Sequence, residues 1–189
     1  MSSSSTMASQ IKLLNPPTLI ENQGYQFLIF DAPSNQTLPL YIHEFKKHNV
    51  TDIVRVCEPT YLTEPLESIG IKVHRKLYLI LSCIQFLQEL AFSDGKAPPK
   101  HIVIEWLEII QKAFHSGEDT ETKNTIGIHC VAGLGRAPVL VAIALIEQGM
   151  SSLDSVQFIR ERRRGAINNK QIEYIEAYRR QARGKCTIS

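Results

Sequence analysis

The segment His129-Cys130-Val131-Ala132-Gly133-Leu134-Gly135-Arg136 constrains this chain more than any other. Ahead of it, Thr125-Ile126-Gly127-Ile128 reads as a short strand. Behind it, Ala137 to Glu147 reads as a buried helix, with Pro138 in the first turn, where no N–H is required. A strand that turns through a glycine-bearing loop into a helix N-terminus can aim successive backbone N–H groups at one tetrahedral oxyanion. Val131, Ala132, Gly133, Leu134, Gly135 and Arg136 are the expected donors, with Gly133 and Gly135 permitting the backbone angles. Arg136 adds a planar fork matched to two phosphate oxygens. The same positive field favours the thiolate of Cys130, and a thiolate facing a phosphoryl group is a nucleophile. His129 is expected to order the loop through hydrogen bonds. A Cys-x5-Arg spacing alone carries little weight; the flanking strand, glycines and helix carry the reading.

The 189 residues suit one domain around a single core, and the 43% apolar share is ordinary for a globular protein. A net charge of +2 gives no general affinity for polyanions, so no nucleic-acid partner is expected. The four cysteines, at 57, 83, 130 and 186, show neither metal-ligand spacing nor a secreted disulfide framework. No metal or cofactor is expected, and the setting should be reducing and intracellular. Residues 1–15 open with a serine-rich run lacking an apolar core, read as a disordered tail rather than a signal peptide. A single domain then runs over 16–181, followed by a short basic tail, 182–189.

Within the domain, strands are expected at Leu19-Ile20, Tyr25–Phe30, Asp52–Cys57 and Ile71–Val73. Helices are expected from a Thr37 cap to Lys47, near Leu62 to Ser68, and from Lys100 to Phe114. Two more follow, one capped by Ser151 and one opened by Asn168 or Asn169. Alternating strands and helices make this an α/β chain whose central, mostly parallel sheet is covered by helices on both faces. Sites in such sheets lie at the carboxyl ends of strands, where Cys130 falls.

The cradle sequence, with Arg55-Val56-Cys57-Glu58 and Gly165-Ala166-Ile167-Asn168-Asn169-Lys170-Gln171, resembles the phosphatase of regenerating liver family. These are prenylated members of the dual-specificity protein tyrosine phosphatases, and the likeness runs from about Leu19 to Tyr178. It implies the protein tyrosine phosphatase-like fold and hydrolysis of a phosphorylated protein or other phosphate monoester through a phosphocysteine. It also implies membrane tethering, binding to a cyclin M-type magnesium-transport mediator, and homo-trimers. The leaving oxygen needs a proton, and Asp94, in the Gly/Pro-punctuated loop Phe92 to Pro99, matches the family's general acid. Asp31, Asp52, Asp119 and Asp154 fit that role less well. Leu90-Ala91 stands where the family has Trp-Pro, which bears on closure of this loop.

The resemblance further implies a reversible disulfide between Cys57 and Cys130. Gln171 matches a position that can orient water, although a glutamine on a helix surface needs no function. Ala137 follows the arginine where many related phosphatases carry a hydroxyl that helps the thiolate leave, so slow hydrolysis is expected. The ending Cys186-Thr187-Ile188-Ser189 reads as a farnesylation signal, with Arg179, Arg180, Arg183 and Lys185 ahead of it. A lipid and a basic patch together would hold the protein at the cytoplasmic face of the plasma membrane or endomembranes, and in the cytosol if unprenylated. Arg160, Arg162, Arg163 and Arg164 read as a solvated helix face. About Arg75 to Gln88 lies an apolar insert that the family lacks, either an extra packed element or a misjudged splice boundary. Against the catalytic reading stands a binding module that uses the cradle to hold an acidic group.

Overall fold

A computed structural model describes residues 13, 15–74, 92–115 and 124–180 of the chain. The insert near 75–88, the Leu90-Ala91 pair and the tail from 181 lie outside the described residues. Among the described residues, five strands form one sheet: β1 (Thr18–Asn22), β2 (Tyr25–Asp31), β3 (Val50–Arg55), β4 (Lys72–His74) and β5 (Thr125–Cys130). Their order is β1-β2-β5-β3-β4, with β1 antiparallel to β2 and every other pairing parallel. The α/β architecture expected from the alternating elements is the one observed.

Side chains along β2 show why the sheet is covered on both sides. Phe27 and Ile29 enter one core and Leu28 and Phe30 the other, as the two-residue period of a strand requires. The smaller core gathers Leu38, Tyr41 and Phe45 of α1 (Leu38–Lys47), Leu66 of α2 (Glu64–Glu67), and Tyr61. The larger core takes α3 (Lys100–His115), α4 (Arg136–Glu147), α5 (Ser152–Arg162) and α6 (Asn169–Ala177). Helix α4 is buried at every residue from Arg136 to Ile146, which is why its sequence is apolar on all sides. It packs on β5, α3, α5 and α6, and Trp106 of α3 donates its indole N–H to the Leu140 carbonyl at 2.7 Å.

Two boundaries differ from expectation for local reasons. Thr37 sits at the entry to α1 but in a helical conformation, and its hydroxyl does not cap the helix. The cap lies three residues earlier: Ser34 Oγ accepts from the Thr37 N–H at 3.2 Å, and Thr37 Oγ1 accepts from the Ser34 N–H at 2.9 Å. Strand β3 begins at Val50 and ends at Arg55, so Cys57 lies just past its end, although the Val56 N–H still reaches the His129 carbonyl at 3.0 Å. Ser151 caps α5 as expected, its hydroxyl accepting from the Asp154 N–H. For α6 the cap is Asn168, in a capping box with Gln171.

Candidate active site

Cys130 is the last residue of β5 and is 2% exposed. The five residues after it have their carbonyls engaged from outside the loop. Val131 O accepts from the Ala32 N–H at 2.9 Å and Leu134 O from the Ile167 N–H at 2.7 Å. Arg163 donates through Nε to Gly133 O at 2.6 Å and through Nη2 to Ala132 O at 3.4 Å. Gly135 O accepts from the Val139 N–H at 3.1 Å, opening α4. In a trans peptide the carbonyl and the following N–H point in opposite directions, and the described chain has no cis peptide. Turning these carbonyls outward therefore turns the N–H groups of Ala132 to Arg136 toward the opposite side, where they converge with the positive end of α4.

Gly133 has φ +64, and a Cβ there would lie 2.5 Å from both Phe30 O and Arg163 Nη2, so no larger residue fits. Gly135, at φ −113 and ψ −86, also supplies room: a Cβ would stand 3.3 Å from Gln171 Nε2 and 3.6 Å from Asp94 Oδ1.

Arg136, 7% exposed, is the first residue of α4. Its Nη1 donates to Phe92 O at 3.0 Å, tying the loop that carries Asp94 to the cradle. Its Nε stands 3.3 Å from Asp94 Oδ1 but out of line for a hydrogen bond, and among the described residues that buried N–H has no acceptor. An N–H so placed suits an incoming oxyanion. Ala137, fully buried, follows with no hydroxyl to offer. Gln171 is fully buried, not on a helix surface: its Oε1 accepts from the Asn168 N–H at 3.0 Å and its Nε2 reaches Lys96 O at 3.5 Å.

His129 lies beneath the loop and is fully buried. Burial, with the positive charges of Arg55 and Arg136, pushes its pKa from 6.5 down to about 3, although its bond to the Cys130 carbonyl opposes the shift. The neutral ring fixes its tautomer. Nδ1, facing Cys130 O at 3.4 Å, must donate, so Nε2 accepts from the Tyr61 hydroxyl at 2.8 Å. Cys57 Sγ lies 3.9 Å from the same Nδ1, and neither Cys57 nor Cys130 is in a disulfide. Thus the structure gathers Cys130, Arg136, Asp94, Gln171, Ala137 and Cys57 around one loop; Cys186 lies outside the described residues.

Arg163 is the residue the basic-run reading missed. It is 7% exposed, and besides the two loop carbonyls it reaches Thr18 Oγ1 at 3.0 Å and Ile29 O at 3.3 Å. Arg160 is likewise occupied, donating to Ala166 O at 2.9 Å and Ile167 O at 2.6 Å. Arg162 and Arg164 are exposed as expected, with Arg162 3.6 Å above the Phe158 ring.

The geometry defines a Cys-x5-Arg phosphate cradle at the carboxyl edge of a mostly parallel sheet. Residues 82–180 match the protein-tyrosine phosphatase family. The chain is 51% identical over 176 residues to "Probable protein tyrosine phosphatase type IVA A" of Dictyostelium discoideum, covering 93% of this chain and 95% of that one. It is 46% identical to the PRL-1 phosphatase of Drosophila melanogaster, covering 89% and 86%. It is 44% identical to human protein tyrosine phosphatase type IVA 3, covering 86% and 84%. A solved protein tyrosine phosphatase of Leishmania major superposes with a TM-score of 0.72 at 40% identity, covering 87% of this chain and 99% of that one. The chain belongs to the type IVA branch of the protein tyrosine phosphatases and is an enzyme of that class.

Two outcomes follow from the loop's supports. Arg163→Met leaves buried loop carbonyls without their donor; stability should fall by about 2–4 kcal/mol in urea denaturation and vanadate affinity should fall with it. Arg164→Ala, at an exposed position, should stay within about 0.5 kcal/mol. For His129, the unfolded ring takes up a proton below about 6.5 while the folded ring stays neutral until about 3. Stability should therefore fall as pH drops through that window, by up to ~1.4 kcal/mol per pH unit from this one group. The urea midpoint of His129→Gln should fall less steeply with acid than that of the wild type; an equally steep fall contradicts the account.

Proposed function

We propose that the protein removes phosphate from phosphotyrosine-type substrates through a phosphocysteine on Cys130. The observation that carries this reading is the five outward-held carbonyls, which leave the loop N–H groups and the buried Arg136 Nε for one phosphoryl group in front of Cys130. Cys130 sulfur bonds to phosphorus as the ester P–O bond breaks, and the non-bridging oxygens take hydrogen bonds from the loop N–H groups of Val131 to Arg136 and from the Arg136 guanidinium. Asp94 gives its proton to the leaving oxygen, and the position of its carboxyl group, 3.3 Å from Arg136 Nε at the cradle, supports that role. Water then cleaves the S–P bond, oriented by the Gln171 amide. Ala137 offers no hydroxyl to the departing sulfur, so this second step is slow.

Ala137 also favours a second reading, in which a long-occupied cradle serves as a binding module for an acidic group on a cyclin M-type magnesium-transport mediator, with assembly into trimers. Oxidation would switch off either activity. A peroxide converts the Cys130 thiolate to a sulfenic acid, the Cys57 thiol condenses with it, and water leaves as the S–S bond forms. The tail supports tethering of the enzyme to membrane by a farnesyl group on Cys186, beside Arg179, Arg180, Arg183 and Lys185. No helix among the described residues is long and apolar enough to cross a membrane.

With p-nitrophenyl phosphate, stopped flow should show a burst of about one product per enzyme, then slow turnover. Ala137→Ser should raise the steady rate several-fold while leaving the burst rate alone, and Cys130→Ser should abolish both phases. A wild type with no burst would remove slow hydrolysis from the mechanism. In cells, Cys186→Ser should move the protein from the membrane to the soluble fraction, and an unchanged distribution would refute the prenyl anchor.

A further inference from the structure

The loop that carries Asp94 is held at three points, each on a different residue of the site. Arg136 Nη1 takes the Phe92 carbonyl at 3.0 Å, Asn168 Nδ2 the Gly95 carbonyl at 3.3 Å, and Gln171 Nε2 the Lys96 carbonyl at 3.5 Å. The Asp94 side chain between these ties is 77% exposed. A carboxylate so exposed is fixed little by its own contacts, and its position is inherited from the backbone beneath it.

Asn168 uses the two ends of its amide for two tasks. Its Oδ1 accepts from the Gln171 N–H at 2.9 Å and caps α6, while its Nδ2 donates across to Gly95, the residue after Asp94. Gly95 has φ +69, and a Cβ there would meet Asn168 Nδ2 at 3.3 Å, so the glycine leaves room for the amide. Aspartate and serine cap helices about as well as asparagine. Aspartate carries no donor, and serine is too short to reach the acid loop. The neighbouring Ile167 N–H donates to Leu134 O, so one short segment touches both the cradle and the acid loop.

We propose that Asn168 is a positioning residue for proton transfer, a latch whose amide holds the Gly95 carbonyl so that Asp94 stands over the cradle. This rests on Asp94 being the proton donor. As the S–P bond forms and the ester P–O bond breaks, the electron pair stays on the leaving oxygen and the Asp94 proton neutralises it. Releasing the latch lets the loop swing away, and the loss is greatest where the leaving oxygen is most basic.

The test uses Asn168→Asp and Asn168→Ser, both of which keep the helix cap, with phenyl phosphate and 2,4-dinitrophenyl phosphate as substrates. kcat/KM is read because it ends at phosphocysteine formation and slow hydrolysis does not mask it. The ratio of phenyl to dinitrophenyl kcat/KM should fall about tenfold in both variants, a part of the ~100-fold or more that general acid catalysis supplies. Asp94→Ala should lower the ratio further, and Asn168→Ser added to Asp94→Ala should change it no more. If Asp94→Ala lowers the ratio but both Asn168 variants keep the wild-type value, the latch is refuted and the acid stands. A fall in Asn168→Asp alone reports its charge and also refutes the latch, as does equal loss on both substrates. An unchanged ratio in Asp94→Ala removes the acid and the latch together.

Discussion

Restraint of the loop carbonyls from Val131 to Gly135 is the interaction on which the rest of the site depends. A ring of N–H groups facing one point is electrostatically unfavourable when empty, and the loop has no internal bonds to enforce it. The enforcement comes from Ala32 at the end of β2, Arg163 just past α5, Ile167 ahead of α6 and the first turn of α4. Arg163 has the largest share because one rigid guanidinium serves Gly133 O, Ala132 O and Ile29 O, fixing the loop to the sheet. Burial pulls its pKa down, while the negative charge of Asp31 opposes that shift.

The same restraint explains a backbone feature that would otherwise look like a fault. Ile167 has φ +63, a conformation that costs a β-branched residue about 1–2 kcal/mol. That geometry turns its N–H onto Leu134 O at 2.7 Å and leaves its carbonyl to Arg160 Nη2 at 2.6 Å. Two short bonds offset the strain and bring the start of α6 against the cradle. Beneath the loop, neutral His129 completes the support from the sheet side, passing hydrogen bonds from Tyr61 to the Cys130 carbonyl.

Much of this was legible in the chain. The strand–loop–helix around Cys130 and Arg136 followed from glycine placement and an all-apolar helix, and the parallel sheet from alternating elements. The site's supports were harder to read because they depend on which face of a helix turns inward. Arg163 hid inside a run of arginines that looks solvated, yet it stands four residues after buried Ile159 and seven after buried Val156, on the stripe that faces the core. Gln171 looked like a surface glutamine because local pattern does not show that its neighbour across space is the acid loop. Gly133 was rightly read as a conformational need, and Gly135 also meets a need for space, which depends on residues 41 and 36 positions away, Asp94 and Gln171. Thr37 failed as a cap because its hydroxyl is taken by the Ser34 N–H, and two capping residues three apart cannot be ranked from sequence alone.

The central claim is that the restrained loop holds the Cys130 sulfur and an oxyanion face to face. Alkylation of the native enzyme with iodoacetate across pH, mapped by mass spectrometry, tests it most directly. The account predicts that Cys130 is modified faster than Cys57 near neutral pH, and that inorganic phosphate or vanadate blocks the modification. Alkylation of Cys130 no faster than that of Cys57, undisturbed by either anion, would contradict it.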